Sequence, residues 1–159
     1  MSIRPLGGAG IVFGGAILLG SCGTLGLGSS VLDELERNQE RWERVAPAAY
    51  QYAVERLCFC GLEARGPVRV TVVGSAVSSR VYVDSGDPVP ANFGESFPTV
   101  PGLFDILRDA IDRDAHEIRV TYDPETGVPI DFWIDYLEMA IDEELGIRVT
   151  EAVAQPLFR

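Results

Sequence analysis

A chain of 159 residues with 47% hydrophobic content suits one domain with its own core. Its net charge of −11 comes from 24 acids against 13 arginines, with no lysine, and such a chain repels nucleic acid and anionic head groups. One histidine, His116, and no Gly-x-Ser-x-Gly elbow argue against a Ser-His-Asp hydrolase.

Residues 1–21 have the layout of an export signal. Arg4 is the only charged side chain in this stretch, and Leu6 to Gly20 is apolar but too short to span a bilayer as a stable helix. The stretch ends in Leu19-Gly20-Ser21-Cys22. A Leu-small-small-Cys sequence at this place resembles the lipobox of bacterial lipoproteins. That resemblance implies cleavage before Cys22 and acylation of its thiol, which would hold the protein at a membrane. Cleavage would remove Arg4 and no acid, leaving the mature chain more acidic still. Gly23 is not an aspartate retention signal, so the lipoprotein resemblance implies the outer membrane in a double-membrane cell, and otherwise the outer face of the cytoplasmic membrane. Residues 22–30, rich in glycine, read as a flexible tether, and 31–159 as a single α+β domain.

Ser30 is placed to cap a first helix that runs to about Val45 and ends before Pro47. Leu32, Leu35, Gln39 and Trp42 form its apolar stripe, with Glu34, Arg37, Asn38 and Arg41 opposite. Ala48 to Cys60 alternates as a strand, with Tyr50, Tyr52, Val54, Cys58 and Cys60 on one face, interrupted by Arg56. Val68, Val70 and Val72 mark a second strand, Gly74-Ser75 a tight hairpin, and Val77 to Val83 a third strand with Arg80 and Tyr82 on its other face. Residues 84–98 make a polar, proline-rich loop of a length often tied to function. Thr99 caps a second helix striped by Val100, Leu103, Phe104, Leu107 and Ile111. Three more strands follow: His116 to Tyr122, Ile130 to Tyr136 after an Asp123-Pro124 turn, and Ile147 to Val153 after an acidic connector.

The expected fold is therefore α+β: an antiparallel sheet of about six strands with two helices on one face. An internal echo sets Val68-Arg69-Val70-Thr71 beside Ile118-Arg119-Val120-Thr121, and Val81 to Asp84 beside Phe132 to Asp135. It suggests a tandem helix-plus-three-strand repeat. The arrangement looks like the helix-plus-sheet layout of secreted β-lactamase inhibitor proteins, a likeness of architecture that carries no function.

Cys58 and Cys60 are the sharpest chemical feature. On a regular strand their Cα atoms would lie roughly 6.5 Å apart, at the upper end of disulfide geometry, so a bond requires a bend, which Gly61 permits. In an oxidising compartment a structural disulfide is one reading; a redox-active pair and a soft-metal site using two thiolates are the others. Asp123 before proline reads as an Asx-turn residue and, with Tyr82 and Trp133, as a candidate binding residue. Tyr82 and Trp133 alternate away from the valine and isoleucine positions of their strands, which places them on an open sheet face where exposed aromatics suggest a partner site. The acids match no calcium loop, and no cofactor or resident metal is expected.

Several segments together resemble an uncharacterised family of bacterial envelope lipoproteins, domain of unknown function 6174. They are Leu35-Glu36-Arg37-Asn38 with Arg41-Trp42, Tyr50-Gln51-Tyr52, Cys58-Phe59-Cys60, Phe97-Pro98-Thr99-Val100 leading to Leu103-Phe104, and Val120 through Pro129. The resemblance covers most of the mature chain and implies domain limits and an envelope location, not an activity. The expectation is a lipid-anchored, non-enzymatic module that binds an envelope protein or component. The alternative is thiol-redox or soft-metal handling through Cys58 and Cys60.

Overall fold

The computed structural model describes residues 27–139 and 143–155. The signal, Cys22 and most of the tether lie outside these residues. Two helices, α1 (Leu27–Val45) and α2 (Val100–Asp112), each precede three strands: β1 (Ala49–Leu57), β2 (Val68–Val73) and β3 (Ala76–Tyr82), then β4 (Glu117–Tyr122), β5 (Pro129–Asp135) and β6 (Leu145–Ala154). The strands form one antiparallel sheet in the order β3-β2-β1-β6-β5-β4. The fold class is therefore α+β.

Alternation built the strands. Tyr50, Tyr52 and Val54 of β1 pair with Val72, Val70 and Val68 of β2, and all six are buried. Phe132 and Ile134 of β5 and Ile147 of β6 join the same cluster, together with Leu35 and Trp42 of α1 and Val100, Leu103, Phe104, Leu107 and Ala110 of α2. Trp42 meets Tyr50 edge-on at 5.3 Å, and Phe104 stacks on Tyr122 at 6.4 Å. Side chains of this size contribute about 2 kcal/mol each on burial.

The other sheet face is polar. Residues one position out of phase carry cross-strand ion pairs: Arg69 with Glu151 at 2.6 Å, Arg148 with Asp131 at 2.9 Å. Arg119 also pairs along its own strand with Glu117 at 3.3 Å. A polar outer face is common in antiparallel sheets, which often bury one side only.

Helix α1 begins at Leu27, so Ser30 lies inside it rather than capping it. The expected tether thus overlaps the helix by four residues. Asn38, placed by its spacing on the outer side, is buried, because the β4–β5 turn packs on it. A side chain at Gly127 in that turn would collide with the Asn38 carbonyl oxygen. The Asn38 amide donates to the Glu34 carbonyl at 2.9 Å. Helix α2 starts where the sequence places it: Thr99 Oγ1 accepts from the Gly102 N–H at 3.2 Å.

The 84–98 loop is a strap rather than a free excursion. Tyr82 N–H donates to the Asp87 carbonyl and Val89 N–H to the Arg80 carbonyl, at 2.9 and 3.0 Å. Phe97 is fully buried, the Arg80 guanidinium donates to its carbonyl at 2.7 Å, and the Tyr52 hydroxyl donates to Pro98.

Candidate functional site

Strand β1 ends at Leu57, where the chain bends and Cys58 and Cys60 close a disulfide with Cα atoms 5.3 Å apart. The bend brings the pair from the upper end of disulfide geometry, where a regular strand would leave it, into the middle of that range. Neither sulfur of the bonded pair is a thiolate ligand. Phe59, at the tip of this small ring, is 85% exposed, and Leu62 in the next turn is 77% exposed.

The loop that carries them is tied down along its length. Arg65 Nε donates to the Cys60 carbonyl at 2.9 Å, Arg56 N–H to the Arg65 carbonyl at 2.7 Å, and the Tyr82 hydroxyl to the Glu63 carbonyl at 2.8 Å. Gly66 returns the chain with φ +87°, 2.9 Å from the Val54 carbonyl to where a Cβ would sit, so only glycine fits. The exposed apolar residues therefore stand on a fixed platform.

Strands β5 and β6 supply the far wall. Trp133 lies on the polar sheet face, paired across Gly146 to Leu57. A Cβ at Gly146 would come within 2.9 Å of the indole and 2.8 Å of the Leu57 Cβ, so the missing side chain makes room for the ring. Between Trp133 and the disulfide loop is an open cleft of about 820 Å³, lined by Arg56, Phe59, Leu62, Arg65 and Trp133, with Glu55 and Glu144 also on its walls. Leu137 and Met139, in the β5–β6 connection at this same end of the sheet, are also exposed. Four of the six exposed large hydrophobics among the described residues thus gather at one end.

Charge singles out the same cleft. Six of the eleven arginines among the described residues pair with a carboxylate: Arg44, Arg69, Arg108, Arg113, Arg119 and Arg148. Arg56 and Arg65 do not. Arg56 lies half-buried on the core side of β1, and burial pushes its pKa down. Its guanidinium bonds no described side chain. An anionic group entering the cleft would relieve that lost hydration.

The other expected site residues fall elsewhere. Tyr82 is not on the open face. It pairs with Val68 on the core side, meets Phe97 edge-on at 6.5 Å, and its hydroxyl is used within the fold. The expectation failed because β3 is an edge strand whose Arg80 and Tyr82 side is closed by the strap, leaving Val81 on the other face. Trp133 does stand on the polar face. Asp123 caps its own turn: Oδ1 accepts from Thr126 Oγ1 and N at 2.7 Å and from Glu125 N at 3.1 Å. The Thr126 hydroxyl, then the backbone amides, hold its carboxyl below the usual range. His116 is exposed between α2 and β4. Among the described residues no group of three His, Cys, Asp or Glu side chains is placed to hold a metal ion, and no helix is long and apolar enough to cross a membrane.

Phe59, Leu62, Arg56 and Arg65 were not singled out from sequence as binding residues. Arg56 alone left a signal, since it breaks the apolar alternation of β1. The sequence model of one family, a family of unknown function (DUF6174), matches residues 34–154. No curated protein and no solved structure matches the chain.

Proposed function

We propose a role from the site itself, because this chain belongs to DUF6174, a family whose description assigns no function. The protein is an exported, lipid-anchored, non-enzymatic binding module of the cell envelope. It is held at the membrane through Cys22 and presents the cleft at the disulfide end of the sheet to an envelope protein. The observation that carries this reading is Phe59, almost fully exposed at the tip of a ring closed by Cys58 and Cys60. A large apolar side chain carried on backbone closed by a disulfide brings less chain entropy to be lost on docking, and buried aromatics with a neighbouring arginine anchor protein interfaces. The lipobox-like Leu19-Gly20-Ser21-Cys22 supports the anchor.

The reading takes both helices to cover the sheet face of Tyr50, Tyr52 and Val54, leaving the Trp133 face open. The contacts of Trp42 with Tyr50 and Phe104 with Tyr122 favour it. A tandem origin draws support from the order of elements, each helix leading three strands. The echo itself joins β2 to β4 and β3 to β5, one place out of step with that order.

The test is a photo-crosslinking residue in place of Leu62 in the full chain, expressed in its native envelope. One discrete protein adduct is expected, reduced about tenfold by Phe59→Ala and by Trp133→Ala, with unfolding temperature unchanged. An adduct indifferent to both substitutions would overturn the reading. The thiol-redox or soft-metal alternative is favoured by the place of the Cys58–Cys60 bond at the surface beside Arg65. It requires that Cys58→Ser with Cys60→Ser abolish function while Phe59→Ala leaves it intact. Cys22→Ala is expected to release the protein from the membrane fraction.

A further inference from the structure

The two edges of the sheet are finished differently. The outer edge of β3 is capped over its last three residues by the strap, through the Tyr82–Asp87 and Val89–Arg80 backbone bonds and a bridge between Val81 and Pro88. Strand β4, at the other edge, pairs only with β5. Among the described residues no turn or loop donates to or accepts from its outer side. Alternate residues of this six-residue strand therefore turn unpaired N–H and C=O groups outward, a template for another strand.

Beside this edge is a groove of about 400 Å³ between β4 and α1, lined by Glu34, Arg37, Asn38, Arg41, Val120, Tyr122 and Pro124 among others. Its arginines, like Arg56 and Arg65, have no carboxylate partner among the described residues. Arg37 is exposed and bonds no described residue, and Arg41 bonds only neutral oxygens, Asn38 Oδ1 at 3.3 Å and the Pro124 carbonyl at 3.2 Å. Glu34 lines the same groove but makes no ion pair with either arginine, in a chain of net charge −11 where acids are plentiful. Tyr122, on the wall of the groove, carries the one buried side-chain polar atom without a hydrogen-bond partner among the described residues, its hydroxyl.

We propose that the outer edge of β4, with α1 as the facing wall, accepts an extended, carboxylate-bearing peptide segment of another protein as a seventh strand. Backbone bonds to β4 would supply affinity, and every second side chain of the peptide would face α1, where a carboxylate meets Arg37 and Arg41 and an acceptor meets the Tyr122 hydroxyl. A second copy of this chain fits less well. Two strongly acidic chains repel, and the two in-phase registers nearest the middle of β4 set Arg119 against Arg119 or Glu117 against Asp123. The site is separate from the Phe59 cleft and does not depend on it.

The experiment selects a library of random linear decapeptides on the folded protein and maps the winner by backbone amide shifts. The expected winner is acidic, shifts the amides of residues 117–122, loses binding when its alternate amides are N-methylated, and binds Arg37→Glu about tenfold more weakly. Tyr122→Phe, which removes one oxygen and keeps the stacked ring, is expected to weaken it less. Failure to select any peptide would overturn the proposal. So would a winner that tolerates N-methylation at every position, is indifferent to Arg37→Glu, or shifts the Phe59 loop instead of β4. Phe59→Ala leaves this binding unchanged, so the outcome is independent of the cleft.

Discussion

Asp123 concentrates three hydrogen bonds on one carboxylate oxygen, and two of its three donors come from Thr126. The folded carboxyl is therefore the stronger acid. A lowered folded pKa gives stability that is present above the ordinary aspartate value and is lost as pH falls through the folded one. Asp123→Ala is expected to cost about 1 kcal/mol at pH 7, read as a shift in urea midpoint, and the difference from the parent should shrink steadily below about pH 4. A variant whose deficit is the same at pH 7 and pH 3 would show that the carboxylate charge does not matter. Gly127, four residues on, is held at φ +79° against the Asn38 carbonyl. Gly127→Ala should cost more than the aspartate change, about 3 kcal/mol, because strain and collision add. Both features were legible in the Asp-Pro-Glu-Thr-Gly sequence as a turn. That the turn presses on α1 and buries Asn38 was not, since helical spacing says nothing of what lies across from a polar residue.

Elements divide into those that hold the fold and those that decorate it. Phe104 on α2 is 1% exposed and stacks on Tyr122. Phe104→Ala is expected to lose about 3–4 kcal/mol, whereas Arg69→Ala, which breaks a solvent-facing pair with Glu151 on the polar face, should lose under about 1 kcal/mol. Paired urea titrations separate the two. The Cys58–Cys60 bond closes a loop of three residues, so replacing both by serine should cost only about 1–2 kcal/mol and leave the sheet folded. Its effect belongs to Phe59, which would then move. Strands were readable because each buries one face, which writes a period of two into the sequence. Tyr82 shows the limit of that signal: an edge strand is half-buried on both sides, and the buried phenylalanine that decides which side is inner lies fifteen residues further on, in the strap.

At the scale of the whole molecule, the contrast between the capped and the open edge predicts a contrast in exchange. The Tyr82 amide, bonded to the strap, and the strap's own Val89 amide, bonded to β3, should resist deuterium at pH 7, while the outward amides of β4 exchange orders of magnitude faster. Equal protection at both edges would mean that β4 is covered. Adding the selected peptide should slow β4 alone.

The middle of the sheet is made by β1 and β6, the first strand and the last. A ribosome delivers β1 roughly ninety residues before its central partner, at rates of about 5–20 residues per second. For those seconds β1 has an unpaired inner edge, and the hairpin of β4 and β5 has nothing to join. The sheet is thus a clasp whose two halves meet only when Leu145–Ala154 has been made. A chain ended by a premature stop before that strand would hold two unconnected fragments, each with a bare edge, and would be a substrate for proteolysis rather than a smaller working protein.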